Sequence, residues 1–487
     1  MINKKGYFLV LIILIIVSIN IIFPVNDYFE NLKLINDVHH IIEKDYVNYN
    51  EIKNKELTYN AIRGMLNSLD NHTTFFSPDE KEAFISDLEG SFGGIGIRID
   101  KRGDYIVIVS AIEGTPAFEK GLSAGDRIVE VDGESVIGIS LNGIMKRIRG
   151  KIGTKVEIGI MRKNIDEIIH YKIERQKIDI HSVSASFMIS NSIGYIKLTH
   201  FNEKALEEMK EALSRLDKKG MRGLILDLRF NPGGLLRMAS NITDLFVEEG
   251  KKIVYTKGKN NEILDEEVAT GDTPYAELPL TVLINQGSAS ASEIFAGAIR
   301  DLHRGTLIGR KTFGKGSVQR IYRLQDDSSV KVTVAYYYTP NGICVDEKGI
   351  SPDFEIEEEK VSYQLMELLS EDYIAKFSEQ NYKQYKIDKN YKISPKPYDD
   401  FLKYLEKNNY NFEEKFIKDE ILRELVKRAV PEWKEKIFEK IKGEINNRIK
   451  YKLITLKYNN EEGRKYLIQD DEFVKKALSV LNKETKY

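Results

Sequence analysis

What this 487-residue chain lacks narrows its chemistry before any motif is read. A single cysteine, Cys344, excludes an internal disulfide framework and any cluster of cysteine-bound metal. Seven histidines are scattered without HExxH or comparable spacing, so neither a metal nor a cofactor is expected. His39 and His40 are adjacent in a helical stretch, where neighbours face different directions and share no ion. A net charge of −2 gives no reason to expect a nucleic-acid partner. There is no G-x-S-x-G elbow, and His303 falls roughly 18 Å from Ser290 at the far end of one helix, so no Ser-His-Asp set forms. A nucleotide loop is missing too, despite a near match in GRKTFGKGSVQ, Gly309 to Gln319. Gly316 stands where a hydroxyl must reach Mg²⁺, and the alternating SVQRIYRLQ that follows reads as a strand, not a phosphate-binding helix. Lys315 needs a different role.

Only one long apolar run is present, Tyr7 to Phe23, seventeen residues broken by Ser18 and Asn20 and preceded by Lys4 and Lys5. No small-x-small cleavage site follows, so an uncleaved signal-anchor is preferred over a cleaved signal peptide. The positive flank stays inside, which places the rest of the chain outside the cytoplasm, held to the membrane by residues 1–26. Residues 27–88 are expected to be helical, with Leu57, Ala61, Met65, Leu66 and Leu69 on one stripe. SPDEKEAF then carries a capping box, Ser77 as N-cap, Pro78 at the first helical position and Glu80 beyond.

Residues 89–175 change to short β runs with glycine-rich turns: FGGIGIRID, YIVIVSAI, GLSAGDRIVEVDGE and KVEIGIMR. The segment resembles a PDZ domain. The resemblance implies that the loop around Gly94, Ile95, Gly96 and Ile97 receives a peptide's C-terminal carboxylate. Consecutive exposed amides suit an anion, and the adjoining strand edge suits an added peptide strand. Taken alone, the same glycines could merely begin a strand tightly.

Residues 176–358 alternate strands and helices, an α/β core. GYIKLTHF is a strand, and the helix EKALEEMKEALSRLDKKG stops at Gly220. GLILDLRF is too apolar to have a solvent face and belongs in a covered sheet. Then come the turn NPGG, a helix, the strand LTVLINQ and the segment NQGSASASEIFAGAIRDL, whose helix starts near Ala291 with Ile294, Phe295, Ala298, Ile299 and Leu302 buried. Ser290 therefore sits at a helix N-terminus, where free N–H groups favour a developing oxyanion. Capping is the ordinary role of any one of Ser288, Ser290 and Ser292.

DLRFNPGG, GSASASE, GRKTFGKGSVQ, YYTPNG and GISPD stand in order along the chain. Together they resemble the carboxyl-terminal processing peptidases, PDZ-bearing serine proteases with a Ser/Lys pair, over about Leu57 to Asp353. The resemblance implies a crotonase/Clp-like βα spiral with an inserted PDZ domain and helical ends. It implies Ser290 as nucleophile, Lys315 as general base and Gln319 as the residue orienting the lysine. Oxyanion donors would be the backbone N–H of Ala291 and of Gly233 or Gly234. Lysine acts as a base only when neutral, and burial disfavours its charged form. Phe313 and Val318 are expected to supply apolar surroundings, and Gln319 accepts a bond without adding charge. Asp227 and Arg229 read as structural supports. The partners implied are proteins with free C-termini, captured by the PDZ and cut upstream. Docking is expected to move the PDZ and align the site. Two alternatives are an inactive membrane-tethered PDZ scaffold and a crotonase-type acyl-transfer enzyme. Residues 359–487 add a charged, Tyr-rich helical extension, either a homodimer surface, part of the substrate entrance or a solvated appendage. Within it, ILRELVKRAV and the stretch from Trp433 read as amphipathic helices, and DEFVKKALSVL as a terminal helix.

Overall fold

The computed structural model describes residues 29–49, 54–356, 373–408 and 433–484, apart from gaps at 103, 113–114, 124, 163–164, 166, 180, 272, 389–390 and 395. The apolar run Tyr7 to Phe23 and the segment ILRELVKRAV lie outside these residues. Among the described residues no helix is long and apolar enough to cross a membrane. The chain forms two compact units, Met1–Ser77 and Pro78–Tyr487.

In the first unit, residues 29–45 form helix α1, followed by α2 (Asn54–Leu66) and the short strand β1 (Thr74–Phe76). The expected stripe is only partly realised: Leu66 is buried, whereas Met65 and Leu69 are exposed. The chain turns after α2 because the Asp70 carboxylate accepts the N–H groups of His72 and Thr73, an Asx-type turn.

The second unit opens with α3 (Pro78–Leu88), beginning at the proline whose missing N–H costs nothing at a helix start. Strands β2 (Ser91–Gly94) and β9 (Gln176–Asp179) pair antiparallel, so the chain enters and leaves the segment between them side by side. That segment is mainly β. Its sheet runs β3 (Ile97–Arg102), β4 (Tyr105–Ala111), β5 (Arg127–Val131), β7 (Lys155–Met161), β8 (Ile169–Glu174), with β6 (Glu134–Ser135) on β5. Helices α4 (Pro116–Glu119) and α5 (Leu141–Ile148) complete it. The alternation in KVEIGIM sends Val156, Ile158 and Ile160 into one core with Ile106, Ile128 and Ile144.

The α/β part is a six-stranded sheet: β10 (Val183–Met188), β11 (Ile193–Leu198), β12 (Gly223–Asp227), β15 (Leu280–Ile284), β16 (Thr306–Gly309), β19 (Phe354–Glu355). β10 is antiparallel to β11, and all later pairs are parallel. Leu224, Leu226, Val282 and Ile284 share a core with Met209 and Leu213 of α6 (Ala205–Asp217), Met238 and Ile242 of α7 (Leu236–Asp244) and Ile294, Phe295 and Ile299 of α8 (Ala291–Asp301). The alternate residues, Ile225 and Leu283, point the other way. They pack with Phe473, Val474, Ala477 and Leu481 of the last helix. Both faces are covered, which is why GLILD and LTVLI have no polar alternation.

An antiparallel sheet, β14 (Ile263–Val268), β13 (Lys252–Lys257), β18 (Ser329–Tyr338), β17 (Ser317–Arg323), carries the chain out of the lysine loop. The C-terminal region consists of α9 (Tyr373–Asn381), the hairpin β20 (Lys386–Ile387) and β21 (Ile393–Ser394), α10 (Pro397–Lys407), α11 (Trp433–Lys457), α12 (Asn460–Gln469) and α13 (Glu472–Glu484). It buries its own cluster of Phe377, Tyr385, Phe401, Leu405, Ile449 and Leu453, so its described part has a core of its own.

Candidate active site

Because β12, β15 and β16 are parallel neighbours, the loops leaving their C-terminal ends meet at one edge of the sheet. The loop after β12 is LRFNPGG, that after β15 is NQGSAS, and that after β16 is RKTFGKG.

Ser290 stands at the start of α8 with φ at +55°, a left-handed backbone that a non-glycine residue adopts only when its surroundings force it. The forcing contacts are visible. Ser288 Oγ donates to the Leu228 carbonyl at 2.8 Å, and Ser292 Oγ to the Asn231 carbonyl at 2.9 Å. The Ala289 N–H also donates to the Asn231 carbonyl, at 3.0 Å. The flanking serines are thus occupied in stitching two loops together. Ser290 is the N-cap of α8, and among the described residues its Oγ donates to no acceptor.

Glu293, one turn into α8, is fully buried and collects four hydrogen bonds. Its Oε2 accepts from the Ser290 N–H at 2.8 Å and the Lys315 N–H at 2.9 Å. Its Oε1 accepts from Thr312 Oγ1 at 2.5 Å and the Gly314 N–H at 2.7 Å. Burial raises the pKa of its carboxyl, and these donors oppose the rise. On the other side of the same segments, Tyr337 Oη donates to the carbonyls of Ser290 and Lys315. The main chains of Ser290 and Lys315 are therefore held together twice.

Lys315 is half-buried, and burial lowers its pKa against the opposing pull of Glu293. Among the described residues its Nζ has no hydrogen-bond partner. Gln319 donates from Nε2 to Ser317 Oγ at 2.7 Å, and no hydrogen bond joins it to Lys315. Val318 is partly buried against the core, but Phe313 turns most of its ring to solvent and is not the apolar wall expected for the lysine.

Gly233 lies against the serine: a Cβ there would sit 2.8 Å from both Ser290 Cβ and the Ala291 nitrogen. Its N–H donates to Asn231 Oδ1 at 2.9 Å. Gly234 instead abuts Phe201, whose carbonyl would meet an added Cβ at 2.4 Å. The Ala291 N–H, the first of α8, has no intrahelical acceptor.

Beneath this loop lies a buried charge cluster. Asp227 accepts from Lys197 Nζ at 2.9 Å, Tyr195 Oη at 2.7 Å and Arg229 Nη2 at 2.7 Å. Burial alone would raise its pKa, yet Arg229 and Lys197 hold it well below the usual carboxylate range. Arg229 also donates to Asp471, immediately before α13, at 2.8 Å, and its guanidinium lies 4.7 Å from the Phe473 ring centroid.

In the mainly-β segment, Gly94 ends β2, and Ile95 is buried with its carbonyl accepting the Ala117 N–H at 2.8 Å. Gly96 has φ +82° and its carbonyl accepts from the Ile112 N–H and from Thr115 Oγ1. Ile97 opens β3, which among the described residues pairs only with β4 and leaves an edge beside the loop. Glu293 and Tyr337 escaped the sequence reading. Glu293 was findable, since Ser290-x-x-Glu293 has capping-box spacing.

Residues 192–356 match the model of peptidase family S41, and residues 93–173 that of a PDZ domain. The class is thus an S41 peptidase carrying a PDZ domain. The carboxy-terminal-processing protease of Bartonella bacilliformis is 38% identical over 335 residues, 68% of this chain and 76% of that protein. The carboxy-terminal processing protease CtpA of Bacillus subtilis is 38% identical over 326 residues, 66% of this chain and 68% of that one. Among solved structures, the photosystem II D1 C-terminal processing protease is 30% identical, covering 68% of this chain and 94% of that chain, with a TM-score of 0.42. The chain belongs to the carboxy-terminal-processing protease family and is a peptidase.

Proposed function

We propose that this protein is a serine endopeptidase that captures the C-terminal region of unfolded or partly folded proteins and cleaves them through a Ser290/Lys315 acyl-enzyme mechanism. Neutral Lys315 Nζ takes the Ser290 hydroxyl proton as Oγ attacks the scissile carbonyl. The same proton passes to the departing amine, leaving an ester on Ser290. Lys315 then deprotonates a water as it attacks the ester, and returns that proton to the departing Ser290 Oγ, which frees the serine and leaves the amine neutral. Gln319 donates from Nε2 to Ser317, and its Oε1, without a partner among the described residues, can accept from the lysine amine without adding a charge. The Ala291 N–H and the Gly233–Gly234 turn receive the oxyanion. Of the two glycines Gly233 is preferred, since it abuts Ser290, with its N–H released from Asn231 as substrate binds.

The observation that carries this reading is the shared acceptor: one Glu293 oxygen holds the main chains of nucleophile and base together, beside a lysine whose pKa burial lowers. The loop Gly94 to Ile97 and the free edge of β3 support capture of a peptide C-terminus. The missing Lys315–Gln319 bond fits a resting site that aligns only when peptide docks on the PDZ. Deleting residues 89–175 should then abolish cleavage of a tagged unfolded substrate; undiminished cleavage contradicts the coupling. The N-terminal run is proposed as an anchor placing the peptidase outside the cytoplasm, which protease protection of intact cells tests.

The direct test incubates wild type, Ser290→Ala and Lys315→Ala with a disordered protein and follows fragments by mass spectrometry. Cleavage by wild type alone is expected. Cleavage by Ser290→Ala at the wild-type rate contradicts the mechanism.

A further inference from the structure

Two phenylalanines at the rim of the site are exposed although each is fixed on both sides. Phe230 is 65% exposed and Phe313 64%. Phe230 lies between Arg229, locked by Asp227 and Asp471, and Asn231, whose Nδ2 donates to the Leu198 carbonyl. Its own N–H donates to Asn285 Oδ1 at 2.9 Å. Phe313 lies between Thr312 and Gly314, both bound to Glu293, and its N–H donates to the Ser288 carbonyl at 3.0 Å. Both residues border the turn leading to Ser290. A Cβ on Gly287 would lie 2.9 Å from Phe230 Cα and 2.8 Å from its Cδ1, while Phe313 is bonded to the next residue, Ser288.

Packing does not account for these side chains. Phe230 has φ at +60°, a conformation that costs a bulky residue on the order of 1–3 kcal/mol. Glycine or asparagine would relieve that cost. Leaving the ring in water also forgoes about 1.5–3 kcal/mol of burial. One exposed phenylalanine needs no explanation. Two that border one turn, three residues from Gly233 and two from Lys315, do need one.

We infer that Phe230 and Phe313 form an apolar clamp that takes the substrate side chains on either side of the scissile bond. The inference rests on the Ser290/Lys315 reading and adds a specificity to it. The occupant is a peptide with a leucine-like side chain at the cleavage point, because the clamp presents rings and no charge. Such side chains are buried in folded proteins and exposed in unfolded ones. The clamp would therefore select unfolded segments at the point of cutting, separately from capture of the C-terminus.

The test compares the full chain with its Phe230→Ala, Phe230→Gly and Phe313→Ala variants on peptides sharing one C-terminus and carrying Leu or Ser beside the scissile bond. Wild type should cleave the leucine peptide with a kcat/KM about tenfold or more above the serine peptide. Each variant should lose most of that preference through the leucine peptide, with the serine peptide changed less than about twofold. Phe230→Gly should melt no lower than wild type, because it removes the strained φ. Retention of the wild-type preference by either alanine variant overturns the inference. So does an equal fall on both peptides, or a marked drop in the Phe230→Gly midpoint, which would make the ring a packing element. Ser290→Ala is run alongside. If it still cleaves, the catalytic reading fails; if it is inert while the preference survives, only the clamp fails.

Discussion

Ser290 and Lys315, twenty-five residues apart in sequence, donate their main-chain N–H groups to the same oxygen of Glu293, at 2.8 and 2.9 Å. The position of Lys315 relative to Ser290 thus depends on a third side chain, to which the proposed mechanism gives no part in bond making. Glu293→Gln tests this. An amide offers one oxygen to four donors and sets an NH₂ against two of them, at about 1–3 kcal/mol for each buried donor left unsatisfied. Thermal unfolding should show the loss, and peptide cleavage should fall about a hundredfold from misplacement of the pair.

Tyr337 makes the complementary link through the carbonyls of the same two residues. Tyr337→Phe keeps the buried ring and removes only the donor. We expect a loss of about 1 kcal/mol in stability. Activity should fall in kcat with KM nearly unchanged, since the hydroxyl faces main chain and not substrate. Steady-state kinetics on one peptide separates these parameters.

The pH profile of kcat/KM should rise through an apparent pKa below the ordinary lysine value of about 10.4. The sign follows from the mechanism: burial lowers the Lys315 pKa, and only the neutral amine accepts the proton. Gln319→Glu should move this limb to higher pH by placing a carboxylate beside the ammonium. At neutral pH the rate should fall about tenfold for every pH unit the limb moves. A second ionisation on the acid side should lie above the usual glutamate range, because burial raises the Glu293 pKa and its protonation turns a shared acceptor into a donor.

Asp471 ties α13 to Arg229 and, through it, to the loop bearing Gly233. Asp471→Asn should cost about 2 kcal/mol, as for a lost hydrogen bond between charged groups. Asp227 supplies a pH signature of the same cluster. Its folded-state pKa is depressed, so its contribution is fully present above the unfolded value of about 3.9 and is lost progressively as pH falls from there through the lower folded-state value. Denaturant titrations between neutral pH and pH ~3 should show stability beginning to fall at the acid end as the unfolded chain takes up a proton that folded Asp227 does not, with the Asp471→Asn deficit persisting because the cluster stays charged.

Gly96→Ala probes the PDZ loop alone. At φ +82° an added Cβ would fall 2.2 Å from the Thr115 Cβ and Oγ1, so the loop must open. Binding of a C-terminal peptide, measured by fluorescence anisotropy, should be lost, while labelling of Ser290 by a fluorophosphonate should match that of peptide-free wild type.

Much of the fold was legible because β12 and β15 are apolar without alternation and bounded by turn residues, the pattern of a strand covered on both faces. What covers the second face was not legible. The stripe of Phe473 and Leu481 shows that α13 buries one side, but nothing local says against what. The same limit applies to Tyr337. Its strand carries it to two carbonyls twenty-two and forty-seven residues away, a contact that exists only once the second sheet has formed. Phe313 misled for a related reason: an aromatic beside a buried lysine reads as its wall, but the bonds on both sides of it turn the ring outward.

The account depends on an unprotonated Lys315 activating Ser290. Its most direct measurement is the rate of Ser290 acylation in a single turnover, read by intact-protein mass across pH for wild type and Lys315→Arg. The account predicts an acyl adduct on Ser290 whose rate climbs through one ionisation below the free-lysine value, and no such climb in Lys315→Arg, whose guanidinium stays charged. A wild-type rate that is flat with pH, or an arginine variant that acylates as fast with the same profile, would contradict it.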